Sequence, residues 1–212
     1  MTARGFVLVA IGALSLARES AAQSVVSRAA GALSRAAQAR ADKKLTDRYD
    51  PMFRKYSKRY FGPMFDWHYF KAQSFAESGL KPTAVSWVGA RGLMQLMPST
   101  YQAISSRRPE FRSIDDPEWN IAAGIAHDRY LWKLWTDRVS DEERHRFMFA
   151  SYNAGEGTIN RAITAAQSKH GAPVWENVER VAPTLGRWRY TETLGYVRRI
   201  DSAYSRLTTI QP

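Results

Sequence analysis

No cysteine occurs in the 212 residues, which excludes disulfides, thiolate metal sites and a lipid-modified N-terminal Cys. Histidine is scarce and scattered: His68, His127, His145 and His170 lie too far apart to offer paired ligands, so no metal site and no cofactor is expected. Acidic residues are also few, 20 against 31 Lys or Arg, for a net charge of +11. That excess is uneven: residues 1–60 carry 12 Lys or Arg against 4 Asp or Glu, and the remainder holds only +3 of the total. The basic residues lack interleaved aromatics, which speaks against a nucleic-acid partner. Long hydrophobic runs are missing too, since the apolar stretch from Gly5 to Ala17 is too short for a comfortable membrane span. No alternating segment is long enough for a convincing strand. The expected class is therefore all-α, with at most a minor hairpin near Lys81 to Val88.

What is present divides the chain into four segments. Residues 1–22 read as a signal peptide or short anchor: Arg4 precedes the apolar run, and Ser20-Ala21-Ala22 offers a small-residue cleavage site before Gln23. A cleaved signal would deliver the protein to the periplasm, and an uncleaved one would hold it at a membrane. Residues 23–48 form a basic, Ala/Arg-rich helical linker in which Val26, Ala29, Ala30, Leu33 and Ala37 share one stripe. This segment suits anionic lipid or an anionic wall polymer, and equally a solvated linker. Residues 49–207 make the one sizeable domain, with a tail at 208–212; 44% hydrophobic and 12% aromatic content are those of a globular protein.

Within the domain, Asp50-Pro51 starts a helix carrying Phe53, Tyr56, Tyr60 and Phe61, which Gly62-Pro63 ends. The next helix, from Trp67 to Ala76, is apolar on most sides and stops at Ser78-Gly79. Glu77 thus falls in the last turn of a buried helix, where the negative end of the macrodipole and the apolar wall both disfavour ionisation. A raised carboxyl pKa suits a general acid; a Glu that merely reaches solvent past the helix end is the plain alternative. Further helices are expected from Pro98 to about Ser106 and from Asp116-Pro117 onward, with Ile121, Ile125, Trp132 and Trp135 on one side. Ser140 and Glu143 read as a capping box for the helix that runs toward Tyr152. Gln95 is a neutral donor and acceptor among Leu93, Met94, Leu96 and Met97, which fits either a groove for an uncharged polar ligand or a core amide satisfied by backbone.

Several blocks in order resemble one family. Glu77-Ser78-Gly79, then Pro82, Ala84 and Ser86, then Gly89-Ala90-Arg91-Gly92-Leu93-Met94-Gln95-Leu96-Met97-Pro98 look like the catalytic core of the family 1 lytic transglycosylases. These have soluble-lytic-transglycosylase-type domains with a goose-lysozyme-like fold. Asn120-Ile121-Ala122-Ala123-Gly124-Ile125, Ala150-Ser151-Tyr152-Asn153-Ala154-Gly155 and Glu192-Thr193 with Tyr196-Val197 resemble its later blocks. Phe65-Asp66-Trp67 and Pro173-Val174-Trp175 resemble a membrane-bound branch. The resemblance covers roughly Tyr49 to Leu207.

The resemblance implies cleavage of the MurNAc-GlcNAc bond of peptidoglycan without water, leaving 1,6-anhydro ends. Glu77 would act as acid and then base, and the substrate's acetamido group would attack the anomeric carbon. This is the substrate-assisted exception to the two-carboxylate rule. It also implies glycan contacts at Ser86, Gln95, Met97, Tyr152, Asn153, Glu192 and Tyr196, with the Tyr152 hydroxyl beside the catalytic Glu. Plainer readings stand next to these: a structural hydrogen bond for Tyr152, a turn for Asn153, a salt bridge from Glu192 to Arg187, Arg189 or Arg198, and core for Tyr196. Lys81 and Ser151 depart from the pattern, Ser151 standing where Ala is usual. Neither a solute-binding-like domain nor a superhelical scaffold is expected before the domain, which suits an enzyme opening the wall for secretion, conjugation or phage machinery. A hydrolytic muramidase with Glu192 as second carboxylate, and a non-catalytic peptidoglycan-binding or assembly protein, are the alternative readings.

Overall fold

The computed structural model describes residue 23, residues 26–34 and residues 47–209. The expected signal and most of the basic linker lie outside the described residues. The chain forms two compact units, residues 1–48 and 49–212. In the first, residues 26–34 are helical, and Val26 and Leu33 are exposed.

The second unit is helical, and no strand occurs among its described residues. Its helices are α1 (Asp50–Phe61), α2 (His68–Ser78), α3 (Pro98–Ser105), α4 (Pro117–Leu134), α5 (Arg144–Ala154), α6 (Glu156–His170), α7 (Trp175–Val181) and α8 (Tyr190–Thr209). A 3-10 turn, Ala182–Thr184, follows α7. α8 runs two residues past the boundary expected at 207. The minor hairpin is reduced to isolated antiparallel bridges, Val85 with Arg91 and Arg91 with Leu96, because the chain turns back within a few residues on each side.

Most helix boundaries follow local signals. α1 stops at Gly62, whose φ of 93° an L side chain rarely adopts, and α4 starts at Asp116, whose carboxylate accepts the Glu118 and Trp119 amides. The capping box expected at Ser140 and Glu143 is not formed. α5 begins at Arg144 without a side-chain cap, and the Glu143 carboxylate instead accepts the backbone amide of Trp175, 3.0 Å away. A distant partner, the start of α7, has displaced the local one.

The core places α2 against α8, α1 along α4, and α5 between α4 and α8. An aromatic cluster of Phe61, Phe65, Phe70 and Trp132 joins the end of α1 and the start of α2 to α4. Each side chain buried fully in such a cluster stabilises the fold by about 1.5–3 kcal/mol. Tyr69 of α2 stacks on Tyr204 of α8 with centroids 4.0 Å apart, and the Tyr204 hydroxyl donates to Asp66 at 2.9 Å. A buried ion pair, Lys71 to Asp50 at 2.7 Å, ties α2 to α1. The helix carrying Glu77 is thus held from three sides.

Candidate active site

Glu77 is the penultimate residue of α2, which Gly79 ends in the left-handed conformation at φ 62°. The side chain is half-buried between α2 and α8, and the Tyr196 hydroxyl donates to its Oε1 at 2.5 Å. Burial raises the carboxyl to about 7, against the opposing effects of the Tyr196 bond and the Arg199 charge. Burial and the charge of Glu77 push the Tyr196 phenol well up, so it remains a protonated donor. Tyr196 is almost wholly enclosed, as expected of a core residue, yet its one polar atom meets the acid.

Residues 91–96, next to Glu77, are fixed by their own backbone. Arg91 and Leu96 exchange N–H···O bonds at 2.9 and 3.0 Å. The Ser74 and Ser78 hydroxyls, one turn apart on α2, both reach the Leu93 carbonyl, at 3.0 and 2.9 Å. Asn120 of α4 accepts the Met94 amide at 2.8 Å and donates to the carbonyls of Arg91 and Ile114 at 3.0 and 2.9 Å. The Tyr152 hydroxyl donates to the Met94 carbonyl at 2.8 Å. Such a loop can present groups to a ligand without first being ordered.

The residues expected to touch a ligand fall into four groups. Gln95 and Ser86 are turned toward their own loop. Gln95 has φ 43° and donates to the carbonyls of Gly92 and Ala84 at 2.9 and 3.2 Å, leaving its amide oxygen free for another donor. The Ser86 hydroxyl accepts the Ala90 amide at 2.9 Å and closes the turn there. Met97 is exposed at the start of α3 and is available for contact. Asn153 and Glu192 line a depression of about 270 Å³ together with Arg187, Trp188, Arg189 and Thr193. Glu192 is paired with Arg189 at 3.1 Å, one of the three partners foreseen for it. Tyr152 lies near enough for the Glu77 charge to raise its pKa, after the larger effects of burial and Asp128. Of the two phenols, however, the one bonded to Glu77 is that of Tyr196.

Sequence reading missed Asp128, which is fully enclosed on α4 and accepts from Gln73 at 3.2 Å. The signal was its phase: Asn120, Gly124 and Asp128 recur every four residues on one face of α4. It also missed the supporting roles of Ser74 and Ser78. Ser151, the departure from Ala, accepts the indole N–H of buried Trp135 at 3.1 Å. No group of three or more His, Asp or Glu side chains among the described residues could hold a metal ion. A larger depression of about 740 Å³ is lined by Ser99, Thr100, Ile104, Arg107, His127 and Tyr130, and Glu77 lines neither it nor the smaller one. The arrangement supplies one acid poised near neutrality, a phenol bonded to it, and a rigid loop beside it.

Comparison with known proteins gives a consistent result. A family model described as the transglycosylase SLT domain matches residues 52–174. Membrane-bound lytic murein transglycosylase F of Aliivibrio fischeri is 32% identical over 166 residues, covering 77% of this chain and 32% of that protein. The protein of the same name from Vibrio cholerae is 34% identical over 156 residues, covering 71% of this chain and 27% of its own. The chain thus spans about a third or less of the length of these relatives. Among solved structures, the 70-kDa soluble lytic transglycosylase of Escherichia coli matches with a TM-score of 0.58 at 26% identity, over 76% of this chain and 24% of that one. A lytic transglycosylase from Pseudomonas aeruginosa matches with a TM-score of 0.59 at 22% identity, over 78% of this chain and 25% of its own, which speaks for the fold alone.

Proposed function

Since the chain belongs to the transglycosylase SLT-domain family, we propose that it is a murein lytic transglycosylase that cleaves the β-1,4 bond between MurNAc and GlcNAc without water. The relatives are named for murein and for membrane binding, which supports peptidoglycan glycan strands as the substrate and the cell envelope as the place of action. No described helix is long and apolar enough to cross a membrane.

In this reading Glu77 gives its proton to the glycosidic oxygen as the bond to the anomeric carbon breaks. The acetamido oxygen of the MurNAc residue forms a bond to that carbon, so no protein nucleophile is required. Glu77, now ionised and accepting from Tyr196, then takes the proton of the C6 hydroxyl. The C6 oxygen displaces the acetamido oxygen and yields the 1,6-anhydro end. One group that must serve first as acid and then as base works best with a pKa near the working pH, and about 7 meets that demand.

The observation that carries the reading is that, among the described residues, no second carboxylate open to water is seen beside Glu77. Two-carboxylate hydrolysis needs a second acid open to water across the bond. Asp128 is enclosed, and Glu192, which faces Arg189, lines a depression that Glu77 does not reach. Digestion of purified sacculi by the protein and by its Glu77→Gln variant, with muropeptides read by mass spectrometry, tests this. Anhydro ends are expected from the first and none from the second. Reducing ends would make the enzyme a muramidase, and release by the variant would remove Glu77 from its role.

A further inference from the structure

Gln73 lies one turn before Glu77 on α2, and it is fully enclosed, as is Asp128 on α4. Gln73 Nε2 donates to Asp128 Oδ1 at 3.2 Å. The remaining oxygen of each side chain, Gln73 Oε1 and Asp128 Oδ2, is buried without a partner. Two bare acceptors in one side-chain pair are what a missing proton leaves behind. A carboxylate cannot bond an amide oxygen, whereas a carboxylic acid donates to it. Leaving both unmet would carry the full desolvation penalty of each oxygen with no bond in return.

We propose that Asp128 carries a proton on Oδ2 that it donates to Gln73 Oε1, so that the two side chains form a neutral, doubly hydrogen-bonded acid–amide pair beneath the turn of α2 that bears Glu77. Asp128 is then a positioning residue for the acid. Its surroundings agree with this. Burial disfavours the ionised form of Asp128, and the charge of Glu77 acts in the same direction. The other titratable groups that feel it are Tyr152 of α5 and Tyr196 of α8, and both phenols stay protonated. Cations on the neighbouring elements are engaged elsewhere: Lys55 of α1 with Glu118, Arg144 of α5 with Asp141, and Arg199 of α8 over the Tyr196 ring. On α3, Tyr101 lies by Asp116, at the far end of α4.

The pair matters when Glu77 releases its proton, a step taken from the function proposed above. A second enclosed negative charge would oppose that step, because like charges repel strongly where water is excluded. A neutral pair fixes the same turn with no such opposition.

The test reads Asp128 directly. In protein labelled with 13C at the aspartate side-chain carboxyl, the resonance that vanishes in Asp128→Asn should keep the position of a protonated acid from pH 5 to pH 8. A resonance that is ionised at pH 7 overturns the proposal. Asparagine can make both bonds of the pair, so Asp128→Asn should fold and keep sacculus turnover within about threefold of the parent. Gln73→Leu, which leaves the acid unpartnered, should lose tenfold or more through a displaced Glu77. An asparagine variant that unfolds, or falls as far as Gln73→Leu, also overturns it. Because the resonance does not depend on turnover, a failure to cleave sacculi would count against Glu77's assigned role and leave the state of Asp128 decided.

Discussion

Glu77 and Tyr196 stand 119 positions apart in the sequence and 2.5 Å apart in the fold. The phenol favours the ionised carboxylate, so it holds the acid below the value that burial alone would give. Removing that donor in Tyr196→Phe should raise the Glu77 pKa further. The acid would then stay protonated to higher pH, and the alkaline limb of kcat/KM, set near 7 in the parent, should move upward in a pH–rate profile. The maximal rate should fall because a weaker acid protonates the leaving oxygen less readily, and a limb that stays in place would separate Tyr196 from the titration. Glu77 itself was legible in the sequence, since a carboxylate at the stop of an apolar helix has an identifiable environment. Its partner was not, because periodicity places Tyr196 in the core without saying which atom its hydroxyl meets. Asp128 was hidden for the opposite reason: an acidic residue in a helix reads as surface until its phase with Asn120 and Gly124 is noticed.

At the scale of elements, α4 is the seat of the loop at 91–96. Asn120 and Gly124 are one turn apart, and each meets the loop differently. A Cβ on Gly92 would stand 2.4 Å from Asn120 Nδ2, at a φ of 77° that already disfavours a side chain, and a Cβ on Gly124 would stand 2.7 Å from Met94 Cγ. Asn120 makes two bonds to the loop backbone and a third to the Ile114 carbonyl, and nothing smaller can replace them. Asn120→Ala should therefore cost about 3 kcal/mol of stability in denaturant unfolding, and Gly92→Ala a similar amount or more through clash and strain. Loss of turnover should accompany either change even where the protein remains folded. Helix ends set by Gly62, Gly79, Pro98 and Asp116 were readable, because each acts on its own neighbours. The cap expected at Ser140 was not, since the Glu143 carboxylate serves a residue 32 positions away.

Residues 1–48 carry 8 Lys or Arg against 3 Asp or Glu, a net +5 of the chain's +11 in less than a quarter of its length, so positive charge is denser in this leading segment than in the unit after it. Attraction between exposed cations and an anionic surface is screened by salt and adds to binding without altering chemistry elsewhere. Deleting residues 23–44 should leave turnover of soluble glycan fragments unchanged and reduce cosedimentation with envelopes, most visibly at low ionic strength. Unchanged cosedimentation would assign the segment to a linker. The fold class was plain at this scale from the lack of alternation and the series of capped helices. The packing of α2 on α8, which no local pattern encodes, had to be seen.

That packing also sets how much of the chain the acid depends on. The span shared with the family model ends at residue 174, whereas Tyr196 and the Tyr204 that stacks on α2 both belong to α8, the last described helix in chain order. A nascent or prematurely terminated chain can contain Glu77, the clamped loop and all of α4, and still lack the wall that buries the acid. In such a chain the carboxylate is expected to stay ionised at neutral pH, which titration of Glu77 in a protein truncated before α8 would check. A fragment that stops before α8 should therefore release nothing from sacculi, however well its other helices form.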